Sequence, residues 1–275
     1  MSNTSLQSEL SLAKDLARQA GKLILTHYHE GVEVETKDDE SPVTQADKDA
    51  NDLVVAAIGT KFPEDAILAE ESTDSSARFA ARRLWCVDPL DGTKEFIDHN
   101  GMFVVMIGLA IDGEARLGVV YQPTEDLLLW GVGQQVGAEK NGQPVTCALS
   151  QCVTASKATM VVSRSHRSKT VTRVAERLGV SQEKPLGSVG LKVADIVLGH
   201  SELYVSTSNR MQEWDTCAPE AILRAAGGQM TDVAGNPMRY NKPDTSVPKG
   251  VLASNGLLHA DTLEALAPET TLRGW

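Results

Sequence analysis

The stretch at residues 85–96 restricts the possible folds of this chain more than any other stretch does. An apolar run ends at Val87, two carboxylates follow three residues apart at Asp88 and Asp91, and Gly92 then opens a new segment. This pattern predicts a strand that runs into a turn. The fold must therefore place two acidic side chains at the end of a strand.

The oxygen atoms of this turn suit a divalent cation. Pro89 has no N–H group and holds Asp88 extended, so Asp88, the carbonyl of Leu90 and Asp91 can converge on one point. All three are the hard oxygen ligands that Mg²⁺ takes, and exposed N–H groups after Gly92 suit a phosphate. The turn predicts a site for Mg²⁺ and a phosphate.

The same residues also fit a turn with no ligand. Asp-Pro and Asp-Gly pairs are common turn formers, and an aspartate just before a helix commonly caps it. The spacing excludes an EF-hand loop, which needs oxygen ligands at alternate positions and glycine at the sixth. The rest of the chain has to separate the two interpretations.

Composition excludes several classes of partner. The 275 residues are 41% hydrophobic and 23% charged, which is typical of a soluble globular protein. The net charge of −11 argues against a nucleic-acid polymer or an anionic membrane surface as the main partner. A small anion remains possible as a partner if cations gather locally around its binding site.

Neither the start of the chain nor its cysteines indicate export. Residues 1–9 lack a basic segment followed by an apolar core, and no apolar run is long enough to span a membrane. The four cysteines form no C-x-x-C pair, so we expect reduced thiols, with Cys86 and Cys217 close in sequence to suspected ligands. A cytoplasmic protein is predicted, whereas peripheral membrane association and the choice between monomer and homodimer stay open.

The first half of the chain reads as an antiparallel sheet flanked by helices. Helical periodicity covers residues 6–24 and 46–58, and Asp112-Gly113 and Asn141-Gly142 signal tight turns. The predicted strands are Ala66–Ala69, Phe103–Ile111, Ala115–Tyr121 and Leu127–Gly131. We assign residues 1–155 to this sub-domain, with most of the metal ligands.

From about Thr159 strands and helices alternate, which suggests parallel pairing in a second sub-domain at residues 156–275. The predicted strands are Thr159–Ser163, Leu203–Ser206 and Val251–Ser254. The predicted helices are Lys169–Leu178, Leu191–Leu198, Thr216–Ala226 and Leu257–Leu266. Asp215 opens the third of these helices.

Three more carboxylates are candidates, each with a structural alternative. Asp47 follows Thr44 at capping-box spacing, so it can simply start a helix. Glu70 comes directly after a buried strand, where sites form, but it can also be a solvated charge. Asp215 can be a helix cap or can face a metal beside a phosphate. His27 and His29, near a helix end, fit capping better than metal ligation.

Together these segments resemble a known family. The motifs Ser41-Pro42-Val43-Thr44-x-Ala46-Asp47, Glu70-Glu71-Ser72, Asp88-Pro89-Leu90-Asp91-Gly92-Thr93 and Trp214-Asp215-x-x-Ala218 resemble those of the inositol monophosphatase superfamily of Mg²⁺-dependent phosphatases. Within it, Lys94-Glu95-Phe96, Ser163-Arg164-Ser165-His166, Gly187-Ser188 with Lys192, and Trp214-Asp215-Thr216 look like the 3'(2'),5'-bisphosphate nucleotidases of the CysQ type.

The resemblance implies an α/β (α+β) fold, a layered α/β/α/β/α sandwich of the inositol monophosphatase and fructose-1,6-bisphosphatase type. It also implies two or three Mg²⁺ ions per site. Glu70, Asp88 and the Leu90 carbonyl would hold one ion. Asp88, Asp91 and Asp215 would hold a second, and Glu70 would help to hold a third. Asp47 and Thr93 would orient and deprotonate the attacking water.

The implied substrate is a small phosphate ester, adenosine 3',5'-bisphosphate, hydrolysed to AMP in sulfur metabolism with the Li⁺ sensitivity of the family. The residues implied to bind it are Leu90, Asp91, Gly92, Thr93, Ser163, His166, Ser188, Lys192 and Asp215. A second phosphate needs a cation, for which Arg164, His166, Arg167 and Lys192 are candidates, unless they are solvated surface charges. An inositol or sugar phosphatase and a non-catalytic cation-binding regulatory protein are the alternatives.

Overall fold

Two large β-sheets alternate with three layers of helices in the computed structural model, which describes residues 6–31, 34–36, 42–165 and 167–275. The helices are α1 (Gln7–Glu30), α2 (Gln45–Lys61), α3 (Thr93–Ile97), α4 (Lys169–Leu178), α5 (Val189–Val197), α6 (Glu213–Ala225) and α7 (His259–Arg273). The strands are β1 (Val34–Thr36), β2 (Pro42–Thr44), β3 (Ala66–Ala69), β4 (Arg83–Asp91), β5 (Val104–Ile111), β6 (Glu114–Gln122), β7 (Leu127–Val132), β8 (Gln135–Lys140), β9 (Gln143–Val145), β10 (Thr159–Ser163), β11 (Gln182–Leu186), β12 (Leu203–Ser206), β13 (Gln229–Thr231) and β14 (Val251–Ser254).

The first large sheet has seven strands in the order β3-β4-β5-β6-β7-β8-β9. Strands β3 and β4 are parallel, and every later neighbour is antiparallel. The predicted turns are present, because Asp112 and Gly113 join β5 to β6 with φ values of 52° and 76°. Asn141 and Gly142 join β8 to β9 in the same left-handed region. The antiparallel prediction for this half is confirmed in all but its first strand pair.

The second large sheet has five strands in the order β11-β10-β12-β14-β13. Strand β10 pairs in parallel with β11 and β12, so the predicted parallel pairing is confirmed for β10 and β12, whereas strand β11 was not predicted. The prediction of parallel pairing is wrong for β14, which is antiparallel to both β12 and β13. No helix links β13 to β14 among these described residues, so the chain is not constrained to a parallel crossover there.

Three hydrophobic cores fill the spaces between the layers. Helices α1 and α2 cover one face of the seven-stranded sheet, around the fully buried Trp85 and Phe103. Helices α5 and α6 lie between the two sheets, around Met106 and Ile222. Helices α4 and α7 cover the outer face of the five-stranded sheet, around Leu252. The predicted layered α/β/α/β/α fold is confirmed, whereas the sub-domain boundary at residue 155 stays a prediction.

Helix α6 lies unusually close to the seven-stranded sheet. Gly108, Gly118 and Gly131 are register partners on three adjacent strands, and α6 crosses directly over them. A Cβ atom at Gly118 would be 2.2 Å from the Ala218 carbonyl oxygen. The helix belongs to the second half of the chain, and this contact fixes Asp215 in its first turn against the first sheet.

Two predicted element ends differ from the structure. Strand β4 does not stop at Val87 but continues to Asp91, with a register shift between Asp88 and Asp91. Helix α6 begins at Glu213 rather than at Asp215. Strand β4 reaches Asp91 because Asp91 pairs with Val104 on β5, and helix α6 starts earlier because the Gln212 N–H donates to the Asp215 carboxylate. Among the helices in the described part of the chain, none has the length and apolar character needed to cross a bilayer.

Candidate active site

Most of the predicted site residues surround one cavity of about 300 Å³. The predicted residues that line this cavity, which we call the acidic cavity, are Glu70, Asp91, Gly92, Thr93, Ser163, Ser188, Lys192 and Asp215. Asp47, Asp88 and Leu90 do not line it and are each 1% exposed. His166 and Ser41 lie outside the described residues.

The aspartates of the opening motif are held in place by the backbone. One oxygen of Asp88 accepts the Leu90 N–H at 3.0 Å, which tightens the end of β4. One oxygen of Asp91 accepts the Ser188 hydroxyl at 2.6 Å and the N–H groups of Val189 and Gly190. Asp91 therefore caps α5 and joins the end of β4 to the start of this helix at the cavity.

Asp215 is held by a capping box rather than acting as the N-cap. The N-cap residue of α6 is Gln212, whose N–H donates to Asp215 Oδ2 at 2.8 Å. Asp215 is the third residue of the helix and lines the acidic cavity. The cap interpretation was wrong by three positions, but the expectation that the helix start orients this carboxylate holds.

The carboxylates interact electrostatically across the cavity wall. Burial raises the pKa of Asp88 well above its ordinary value, and the charges of Glu70, Asp91 and Asp215 raise it further. Burial likewise raises the pKa of Asp215, with contributions from Asp91 and Glu70. Four acidic side chains, one directly after β3, two on β4 and one on α6, are thus close enough to destabilise one another's charge.

The oxygen groups at this wall suit a hard divalent cation, because most of them are carboxylates that repel one another in a partly buried position. Glu70, Asp88, Asp91, Asp215 and the Leu90 carbonyl are the groups that would hold it. With the side chains as they stand, no three acidic, histidine or cysteine residues of the described segments already surround one point at ligand spacing. Asp88, Asp91 and Asp215 each have an oxygen that accepts backbone N–H groups, as described above.

This interpretation predicts opposite effects of Asp88→Asn with and without metal. Without Mg²⁺, removal of one buried repelling charge should raise Tm by about 2–4 °C, equivalent to about 1 kcal/mol. With Mg²⁺ at about 100 times its Kd, the wild-type protein should gain about 2.7 kcal/mol and the variant much less. Thermal unfolding with and without Mg²⁺ measures both effects.

Asp112→Asn is the matched control, since Asp112 is an exposed carboxylate that pairs with Arg82 and does not line the acidic cavity. It should keep the full Mg²⁺ response. If Asp88→Asn also kept that response, Asp88 would not be a ligand.

Asp47 and Thr93 form the hydrogen-bonded pair that the resemblance implied. Thr93 Oγ1 donates to Asp47 Oδ1 at 3.2 Å, and the other Asp47 oxygen accepts the Thr44 N–H and hydroxyl at 2.8 and 2.6 Å. The predicted capping box at the start of α2 is therefore present. Burial raises the pKa of Asp47, and the charge of Glu71 raises it further. Thr93 lines the cavity, and Asp47 lies behind it.

Ser188 and Lys192 support the cavity wall from the second half of the chain. Ser188 has a left-handed φ of 53° and donates its hydroxyl to Asp91. Lys192 Nζ donates to the Ser188 carbonyl at 2.6 Å, and burial lowers its pKa to about 8. Both residues line the acidic cavity, and their predicted contacts with a substrate stay predictions.

Two cations proposed for a second phosphate are already paired with carboxylates. Arg164 donates to Glu95 and Asp98, and Arg167 donates to Glu183. These pairings are not visible in the sequence, because Arg164 lies 69 residues from Glu95. Ser206, Ser208 and Arg210 also line the cavity, although no sequence motif had predicted them. These residues belong to a polar run just before the Trp214-Asp215 motif, and that run was the feature of the sequence that could have indicated them.

Comparison with known proteins gives the family. Residues 5–271 match the model of the inositol monophosphatase family. The chain is 34% identical over 242 residues to the 3'(2'),5'-bisphosphate nucleotidase CysQ of Shigella flexneri, which covers 87% of this chain and 96% of the relative.

The chain belongs to the inositol monophosphatase family. Both parts of the resemblance, the superfamily and the likeness to CysQ, are confirmed, and this phosphatase family membership makes the chain an enzyme.

Solved structures of family members share this architecture. CysQ from Bacteroides thetaiotaomicron has a TM-score of 0.77 at 30% identity, with 92% of this chain and 99% of that chain covered. An inositol monophosphatase from Anabaena has a TM-score of 0.80 at 28% identity, with 99% and 100% covered. A CysQ structure and an inositol monophosphatase structure thus match the fold about equally well, so the fold alone does not select the substrate.

Proposed function

We propose that the chain is a Mg²⁺-dependent phosphomonoesterase that removes the 3'-phosphate from 3'-phosphoadenosine 5'-phosphate and yields AMP and phosphate. The observation that carries the proposal is the acidic cavity itself. Acidic side chains from both halves of the chain surround it, and a Thr–Asp pair stands at its wall. The identity of 34% to a CysQ nucleotidase supports the choice of substrate.

Phosphate monoesters hydrolyse very slowly without a catalyst, largely because an anionic nucleophile must approach an anionic phosphate. Two or three Mg²⁺ ions held by Glu70, Asp88, Asp91, Asp215 and the Leu90 carbonyl would supply charge neutralisation and a more acidic attacking water. Gly92 and Thr93 line the cavity, and their backbone N–H groups would hold the phosphate.

Proton transfer is assigned to the Thr93–Asp47 pair. The Thr93 hydroxyl donates to Asp47 Oδ1, which leaves its oxygen lone pairs available to accept a proton from the attacking water. As that proton arrives at Thr93 Oγ1, the hydroxyl proton moves to Asp47 Oδ1. The raised pKa of Asp47 makes this carboxylate a stronger base than an exposed aspartate. The bonds from Thr44 hold the carboxylate in the required orientation.

Side-by-side turnover tests the substrate. We expect kcat/KM for 3'-phosphoadenosine 5'-phosphate to exceed that for inositol 1-phosphate by at least about 100-fold, because a site with polar partners for one substrate rejects another that leaves them unpaired. Phosphate release with Mg²⁺ present measures both rates. A clear preference for the inositol ester would overturn the proposal and favour the activity named for the Anabaena relative.

A further inference from the structure

Glu95 is a buried carboxylate in the wall of the acidic cavity that belongs neither to the proposed metal ligands nor to the Thr93–Asp47 pair. It lies on α3, two residues after Thr93, and is 5% exposed. A glutamate seldom stays this buried unless the fold supplies it with partners. The contacts of Glu95 therefore indicate its role.

The hydrogen bonds that the structure describes for the Glu95 side chain come from the second half of the chain. Its Oε1 accepts the Ser165 hydroxyl at 2.9 Å and the Arg164 Nε–H at 3.3 Å. Both residues belong to the segment that follows β10, and Ser165 lines the acidic cavity together with Ser163. Glu95 thus joins the helix that begins in the Asp91-Gly92-Thr93 motif to the serine wall of the cavity.

The Glu95 side chain also packs on the backbone just before Ser188. A Cβ atom added to Gly187 would lie 2.4 Å from Glu95 Cγ and 2.8 Å from Glu95 Cδ, so a larger residue there would displace this side chain. The Arg164 N–H donates to the Leu186 carbonyl at 3.1 Å, which joins the segment after β10 to the end of β11. One carboxylate on α3 therefore contacts the chain just after two neighbouring parallel strands.

We propose that Glu95 is a positioning residue for substrate binding, because it holds the wall of Ser163 and Ser165 at a fixed place across the cavity from the Asp91-Gly92-Thr93 motif. This inference rests on the proposed function. The reacting phosphate lies at the motif, and the two serines face the remainder of the ester. Without the carboxylate the segment after β10 loses its anchor on α3, so binding has to order the wall as well as the ligand.

Glu95→Ala should raise KM for 3'-phosphoadenosine 5'-phosphate by about 10-fold, the effect of one lost hydrogen bond to a charged group, and should change kcat by less than about twofold. The Mg²⁺ concentration for half-maximal activity should stay the same, because the proposed ligands are untouched. Glu95→Gln keeps an oxygen that can accept the Ser165 hydroxyl and should recover most of the affinity. A loss of folded enzyme would instead lower the apparent kcat and leave KM unchanged.

A double-mutant cycle with Ser165→Ala tests whether Glu95 acts through the serine wall. If the two side chains work as one contact, the double variant should raise KM by no more than about twofold beyond the larger single effect. Independent roles would multiply the two single effects. That result would overturn the inference, because Glu95 would then not act through Ser165.

Asp98→Ala is the matched control, since Asp98 also accepts from Arg164 but is exposed and does not line the acidic cavity. It should leave KM within about twofold of the wild type. An equal rise in KM in Asp98→Ala would assign the effect to the Arg164 ion pair, and an unchanged KM in Glu95→Ala would remove Glu95 from substrate binding. Either result would overturn the inference while leaving the proposed function intact. If the wild-type enzyme released no phosphate from this nucleotide, the proposed function would fail and this inference with it.

Discussion

Asp47→Asn is expected to lower kcat by about 10²- to 10⁴-fold, the usual contribution of a general base, while the protein stays folded. The amide keeps one oxygen, which can still accept from the Thr44 N–H and hydroxyl at the start of α2. Its NH₂ group then faces Thr93 Oγ1, where the carboxylate oxygen accepted a hydrogen bond. The amide cannot accept the Thr93 proton, so the proposed transfer stops.

The metal response separates this role from metal binding. Asp47 lies outside the proposed ligand set and behind Thr93, so Asp47→Asn should retain most of the Mg²⁺-induced rise in Tm. Phosphate release and thermal unfolding, each with Mg²⁺, measure the two properties. A regulatory cation site without catalysis predicts no turnover in the wild type and therefore no difference between the proteins.

Asp232→Asn is the control for the chemical change itself. Asp232 also accepts backbone N–H groups, those of Ala234 and Asn236, and it does not line the acidic cavity. Its substitution should leave turnover unchanged. Wild-type turnover in Asp47→Asn would remove Asp47 from the mechanism and leave the capping box as its whole role.

Local sequence patterns predicted most of the elements because their causes are local. Thr44 and Asp47 stand at capping-box spacing, and the structure contains that box. Asp112-Gly113 permits the left-handed φ values that a tight hairpin needs. Strand β11 was missed because it is an exposed edge strand that contains Lys184 and Pro185, so it carries no apolar pattern.

Long-range pairing could not be predicted in the same way. Arg164 and Arg167 look like available cations in the sequence, and only the folded chain brings them to Glu95 and Glu183. The segments that carry the acidic residues of the acidic cavity were predicted from their motifs, but the loop with Ser206, Ser208 and Arg210 was not. The charges available around the cavity depend on partners that are far away in sequence.

Gly118→Ala is expected to lower the free energy of unfolding by about 3 kcal/mol, at the upper end of the range for overpacked cores. The added Cβ would meet the Ala218 carbonyl oxygen at 2.2 Å and the Ala218 Cα at 2.8 Å. Both are backbone atoms, so no change of rotamer can relieve the contact. Either α6 or β6 has to move, which disturbs the core between the sheets. Chemical denaturation measures the loss.

Gly59→Ala is the opposite control. Gly59 lies within α2, and the nearest atom to an added Cβ is Ile67 Cδ1 at 3.9 Å, an ordinary contact. Alanine restricts the unfolded chain and favours the helix, so this variant should gain about 0.5–1 kcal/mol. Gly118→Ala with wild-type stability would show that α6 does not need the close approach.

The same contact links packing to the proposed metal site. Ala218 lies three residues after Asp215 on α6, whereas Asp47 and Thr93 belong to α2 and α3. An outward shift of α6 therefore moves one proposed ligand relative to Asp88 and Asp91 but leaves the proton-transfer pair in place. The folded fraction of Gly118→Ala should need more Mg²⁺ for half-maximal activity and should recover part of its kcat at saturating Mg²⁺. A Mg²⁺ titration of turnover, compared with Asp47→Asn, distinguishes this displaced ligand from a lost base, whose activity no Mg²⁺ concentration restores.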